Sequence, residues 1–310
     1  MLPRPHRHPR PAFPRAIHRI VRMGVLVVAA GSLAGATASA VPALAGTPQQ
    51  STAGAGNVRQ LPLSYLRAQA NYHHMGYSLA PHAAASVSKN AVPLLKASSS
   101  DPLYGLDVSS YQGDVDWSAV ASDGAAFAYI KATEGSYYTN PYFAQQYDGS
   151  YDVGLVRGAY AFAIPNYSSG ATQADYLADN GGAWSADGKT LPAALDIEYN
   201  PYSGGECFGL SQSAMRTWIS DFVDEYHSRT TRWPVVYSTY DWWNTCTGNW
   251  SGLAANDPLW IACYCSTAGT LPAGYSFYTF WQYASSGTFP GDQDVFNGTS
   301  ARLTALADNT

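Results

Sequence analysis

Asp196 and Glu198 stand two residues apart in Leu195-Asp196-Ile197-Glu198, at the end of the apolar run 192–195. On a strand, residues at i and i+2 face the same way, with Cα atoms roughly 6.6 Å apart. A bare Asp-x-Glu is more often an acidic strand end meeting water than a site. Two further acids sit in the same relation to strands. Asp107 lies inside Gly105-Leu106-Asp107-Val108-Ser109, and Asp292 immediately precedes the weakly strand-like stretch 293–296. Four carboxylates gathered at one end of a sheet repel one another, which pushes at least one into general-acid range. Glu198 has the longer reach and the apolar approach, so it is the candidate acid. One protonated carboxyl beside one ionised partner is what glycosidic cleavage requires.

Rings accompany these acids. Tyr160, Phe162, Tyr199, Tyr237, Trp260, Tyr264, Trp281 and Tyr283 fall at or near predicted strand ends, where flat apolar faces suit the C–H faces of a pyranose. About half of them are expected to fill the protein interior instead. Other chemistries find little support. His227 is the only histidine in 101–310 and lies off the apolar stripe of its helix, so a nucleophilic triad has no base. Asp187-Gly188-Lys189-Thr190 resembles the tail of a phosphate loop, but Ala183 stands where the first glycine is needed. The stretch from Asp292 to Gly298 lacks the bidentate glutamate of a calcium loop, with Leu303 in that place. No metal or cofactor is implied.

The elements that must hold these residues follow from periodicity. Apolar, β-rich runs recur at 104–109, 127–131, 155–162, 193–198, 235–239, 259–262, 278–283 and 293–296. Between the early ones lie helical segments at 115–122, 140–152 and 171–182. The clearest helix carries Met215, Trp218, Ile219, Phe222, Val223 and Tyr226 at i, i+3, i+4, i+7, i+8 and i+11, with Ser211 or Ser213 as cap. After Thr239 no long helical period is visible. Five strand–helix units followed by three strands predict an α/β fold, a single parallel barrel related to the eight-stranded βα barrel with its last helices eroded.

Several motifs occur in order: 105–113 (Gly-Leu-Asp107-Val-Ser-Ser-Tyr-Gln-Gly), 128–135 (Ala-Tyr-Ile-Lys131-Ala-Thr-Glu134-Gly), 158–163 (Gly-Ala-Tyr160-Ala-Phe162-Ala), Leu195-Asp196-Ile197-Glu198, Trp281-Gln282-Tyr283, and Asp292. Together they resemble glycoside hydrolase family 25, the Chalaropsis-type lysozymes, and in particular its Streptomyces branch. The likeness covers about 101–310. It implies a TIM-like (β/α)5(β)3 barrel and a muramidase cutting the β-1,4 bond between N-acetylmuramic acid and N-acetylglucosamine in peptidoglycan. Carried over by residue, it makes Glu198 the general acid. Asp107, Asp196 and Asp292 become the other acids of the site, with Asp196 either nucleophile or orienter of the substrate's N-acetyl group. Lys131, Glu134 and Gln282 join the rings as substrate-binding positions. Similar Streptomyces enzymes also carry a disulfide at positions matching Cys207 and Cys246. This chain has Ala161 where His is common and Ile164 where Arg is frequent. A chitinase-like family 18 hydrolase would need a longer acidic strand, but positions 191 and 194 are Leu and Ala. A non-catalytic carbohydrate-binding barrel predicts loss of at least one acid, and all four are present.

Charge and cysteines bound the setting. All 22 acids lie in 101–310 with seven Lys and Arg, a net charge of −15, which argues against sequence-independent nucleic-acid binding. Residues 1–45 read as a signal peptide: six arginines lie between Arg4 and Arg22, then an apolar run 23–30, then small-residue cleavage candidates. That run is too short to anchor well in a membrane. A soluble, secreted monomer with peptidoglycan as its partner is therefore expected. Residues 46–100, rich in Ala, Ser and Pro and carrying four bases and no acid, are expected to be a flexible linker, with a pro-segment or a cationic wall tether as rivals. Short amphipathic pieces are possible around 61–72. Cys207 and Cys246 are the natural disulfide pair of an exported chain. A direct Cys263–Cys265 bond is expected to be strained if the run is an extended strand.

Overall fold

The computed structural model of the chain describes residues 58–79 and 102–310, so the signal-peptide reading of 1–45 lies outside the described residues. Nine strands form one sheet: β1 Leu103–Val108, β2 Phe127–Glu134, β3 Tyr138–Thr139, β4 Val156–Phe162, β5 Ala194–Asp196, β6 Val235–Ser238, β7 Leu259–Ala262, β8 Phe280–Ala284 and β9 Asp292–Phe296. Eight of them close into a barrel in the order β1-β9-β8-β7-β6-β5-β4-β2, sealed by β1 against β2, while β3 is a short hairpin partner of β2. Before the barrel comes α1 Leu63–Ala70. Crossover helices α2 Trp117–Ser122, α3 Phe143–Asp152, α4 Gly170–Leu177, α5 Gln212–Thr230 and α6 Tyr240–Thr247 link β1 through β7, and α7 Ser300–Asp308 follows β9.

This is the expected count of five strand–helix units and three further strands. The long stripe on α5 is buried, and Ser211 caps it by accepting from the Ala214 N–H. Helix α6 supplies the fifth unit, for which no helical period is visible in the sequence. It is only eight residues long, too short to display a period, and is started by the Thr239 side chain accepting from Trp242 N–H. β9 runs antiparallel to both neighbours. A short return from β8 cannot make a parallel crossover, which needs a dozen or more residues.

Two apolar layers hold the barrel. Inside it, Phe127, Tyr129, Trp260, Phe280 and Phe296 pack ring on ring. Outside it, the α4 and α5 faces cover the alanines of β4 together with Leu195 and Ile197. Gly158 is required here, because a Cβ at that position would collide with the Tyr129 ring.

Two expectations are corrected. Residues 46–100 are not a linker throughout: α1 buries Leu66 and Ala70, and Val58, His73 and Met75 are buried as well. Without a long apolar period these residues gave no core signal, because their partners all lie in the barrel. Cys263 and Cys265 are joined in a disulfide. β7 ends at Ala262, so the pair is not extended and its Cα atoms are 5.2 Å apart, within the ordinary range. Cys207 and Cys246 are also joined, fixing the loop after β5 to α6.

Candidate active site

In a βα barrel the mouth is formed by the C-terminal ends of the parallel strands. Asp107 on β1, Lys131 and Glu134 on β2, Tyr160 and Phe162 on β4, Asp196 on β5, Tyr237 on β6 and Gln282 on β8 all sit there. Asp292 begins β9, and the reversed direction of that strand brings its first residue to the same end. Register pairs Asp292 directly opposite Asp107, which puts both on one face. Asp196 is flanked in register by Phe162 and Tyr237. Glu198 lies two residues beyond Asp196.

All four predicted acids are buried. The Gln282 amide donates to Asp107 Oδ2 at 2.8 Å and to Asp292 Oδ2 at 3.4 Å, while its carbonyl accepts from Tyr237 OH at 2.8 Å. Both oxygens of Asp196, Oε2 of Glu198 and Oδ1 of Asp107 have no hydrogen-bond partner among the described residues. Buried carboxylate oxygens left unpaired favour the protonated form. Burial, with the Glu198 charge next, pushes Asp196 well above the usual carboxylate range. Burial and the Asp292 charge do the same to Asp107, and burial raises Asp292. Burial raises Glu198 to about 8, against the opposing hydrogen bond from Gly76 N–H.

Lys131 and Glu134 would face opposite sides of a regular strand. The register of β2 against β4 slips between Lys131 and Thr133, and this bulge turns Glu134 inward. The two side chains meet at 2.7 Å with no exposure. Burial works against the Glu134 charge, but Lys131 and His73 outweigh it and hold the carboxyl down at about 2.

The rings divide. Tyr160, Phe162, Tyr199, Tyr237 and Tyr264 border the mouth. Trp260 is fully buried below it, packed on Tyr129 and Phe280 and donating its Nε1–H to Asp294, so it is barrel filling and not a sugar platform. Trp281 alternates with inward-facing Phe280 and Gln282, so it points outside, against Tyr278 and Tyr283. Ala161 and Ile164 belong to the layer between barrel and helices.

Three features escaped the sequence reading. Asp294 is a further buried acid just below the mouth, on the same face as Asp292 two residues earlier; period two along β9 could have found it. Tyr111, exposed beside the His74 ring, follows β1 within the stretch 105–113. The third is residues 70–79, which lie in the mouth itself. Lys131 Nζ donates to Ala70 O at 3.1 Å and to His73 O at 2.6 Å. Met75 N–H donates to Tyr160 OH at 3.2 Å, and Gly76 N–H donates to Glu198 Oε1 at 2.8 Å. His73 Nδ1 lies 2.9 Å from Glu134, and His74 Nδ1 lies 3.1 Å from Asp292. Burial lowers His74, but the Asp292 hydrogen bond and charge prevail and raise it to about 9.

Comparison with known proteins places this geometry. The pattern described as glycosyl hydrolases family 25 matches residues 106–292. Lysozyme M1 of Streptomyces globisporus is 54% identical over 211 residues, covering 66% of this chain and 71% of that protein. An N,O-diacetylmuramidase of Chalaropsis is 43% identical over 207 residues, 66% of this chain and 98% of its own length. The crystal structure of a bacterial lysozyme from Streptomyces coelicolor superposes with a TM-score of 0.66 at 52% identity, covering 68% of this chain and 99% of that one.

Proposed function

The chain belongs to glycosyl hydrolase family 25, and from that premise we infer that it is a lysozyme hydrolysing the β-1,4 bond between N-acetylmuramic acid and N-acetylglucosamine of peptidoglycan. The observation that carries the catalytic reading is the pair Asp196 and Glu198 at the end of β5, both buried, facing Asp107 and Asp292 across the mouth. Glu198, raised to about 8, keeps its proton at neutral pH and delivers it to the glycosidic oxygen as the bond breaks. Asp196 has two unpartnered oxygens to accept the substrate's acetamido N–H. Held there, the acetamido carbonyl attacks the anomeric carbon and water then opens the intermediate with retention. Asp107, Asp292 and Gln282 act as one hydrogen-bonded wall that fixes the sugar opposite the acid. Tyr160, Phe162, Tyr199, Tyr237 and Tyr264 supply the apolar border.

We also assign secretion, on the signal-like reading of residues 1–45. Among the described residues no helix is long and apolar enough to cross a membrane, and two disulfides suit an oxidising compartment.

The test is digestion of purified peptidoglycan by residues 102–310 and by the same protein with Glu198→Gln. Mass spectrometry should find new reducing-end muramic acid from the first, and a fall of roughly 10²–10⁴-fold in rate from the second. Binding without cleavage by both would make the barrel a wall-binding module. NMR of the first-formed anomer should show retention, and inversion would remove the acetamido mechanism.

A further inference from the structure

The groups a sugar must meet are already engaged by the chain itself. Lys131 gives two of its three donors to Ala70 and His73 carbonyls. The candidate acid Glu198 accepts from Gly76 N–H, Tyr160 OH accepts from Met75 N–H, and Asp292 holds His74. These are backbone amides and imidazoles seated where hydroxyl and acetamido groups would bind. Met75 is fully buried among the barrel-mouth rings. The arrangement is anchored from behind by α1, whose Arg67 Nε donates to Tyr137 O at 2.9 Å. Residues 58–79 and the barrel also belong to one compact unit. Charge agrees: residues 47–100 hold four bases and no acid, against a barrel of net charge −15.

Gly76 makes the close approach possible. Its φ is +78°, and a Cβ there would collide with Tyr264 OH, stand 2.7 Å from Gln282 Oε1 and lie 3.2 Å from Tyr237 OH. Only glycine lets the backbone reach Glu198 in this conformation.

We propose that residues 58–79 are an intramolecular inhibitor, a pro-segment that fills the substrate cleft and keeps the exported enzyme inactive until it is displaced or cut away. The proposal rests on the muramidase reading and adds its regulation. Segment and substrate compete for the same atoms, so the rate on substrate falls to the fraction of molecules whose cleft is open. The connection between segment and barrel holds the segment at high effective concentration, so the same peptide added free binds more weakly.

Three proteins test this: residues 46–310, the same chain with Gly76→Trp, and residues 102–310. The last is a fair comparison because a solved relative is matched over 99% of its length by 68% of this chain. On soluble peptidoglycan oligomers, 46–310 should be at least tenfold slower than 102–310, and Gly76→Trp should recover most of that difference. Equal rates for 46–310 and 102–310 overturn the proposal. So does a slow 46–310 that Gly76→Trp leaves equally slow, since the cause would then lie outside the cleft. Calorimetry with the tetrasaccharide product reads occupancy without turnover. Binding to 102–310 and not to 46–310 is expected, and equal binding refutes inhibition even if neither protein cleaves. Failure of 102–310 to cleave while it still binds alone would count against the muramidase reading only.

Discussion

At the scale of the residue, the site is a contest between burial and charge. Among the described residues six carboxylates lie buried at one barrel end with one lysine, and that lysine is committed to one of them, Glu134. Separating charge from water costs so much that most of these acids must hold protons or find partners. Glu198 is raised to about 8 because burial dominates. A general acid works only while protonated, so its activity is present below that value and lost above it. With the bound sugar covering Glu198 in place of the segment, the kcat profile of residues 102–310 on soluble oligomers should keep its activity through neutrality and fall on the alkaline side, above the ordinary carboxylate range. With Asp196 also raised, the acid limb should lie above the ordinary carboxylate range, giving a narrow bell. An alkaline limb near 5 would mean that another group is the acid.

At the scale of the element, strand direction and period decide what the sequence discloses. Asp107, Asp196 and Glu198 were legible because parallel strands bring their C-terminal ends to one mouth, and Gln282 and Asp292 because the motifs around them match a family. Trp281 was misplaced because the motif was read as a block, whereas alternation along β8 sends Gln282 in and Trp281 out. Asp294 was passed over although it shares a face with Asp292. The inward turn of Glu134 depends on a bulge in β2, and no local composition announces a register slip. The α6 helix was hidden by its length, yet it carries Cys246 and so anchors the loop that follows β5. That disulfide spans 39 residues. Closing a loop of that size in the unfolded chain is worth about 4 kcal/mol on the chain-entropy account. Replacing both cysteines by serine should lower the melting temperature by on the order of 10 °C, read by calorimetry under non-reducing conditions. The same substitutions should leave the acids in place and the KM nearly unchanged if the bond only restrains the unfolded chain, whereas a raised KM would assign it to holding the loop at 199–206 against substrate.

At the scale of the whole molecule, the least legible part was the segment 58–79. Its stability comes from contacts with a barrel that begins more than twenty residues later, so local periodicity carried almost no sign of it. Its hold on the barrel is also titratable. His74 has a pKa raised from 6.5 to about 9 beside Asp292. A raised imidazole contributes stability that is fully present below 6.5 and is lost as pH climbs through 9. Asp107 also faces His74 and favours its charge. Glu198, raised from 4.5 to about 8 while buried under the segment, adds to the same trend: opening exposes it to water and lets it ionise earlier, so closure becomes less favourable as pH rises from 4.5 to 8. Both groups loosen the segment in the alkaline direction, and neither opposes the other. Residues 46–310 should therefore melt at higher temperature than residues 102–310 at pH 6, and the gap should shrink steadily towards pH 9.5. His74→Gln should flatten that dependence above pH 8, where Glu198 no longer contributes, while keeping a neutral donor near Asp292. A gap that stays constant across this range would mean that apolar burial of Leu66 and Met75, and not the charged contacts at the mouth, holds the segment in place.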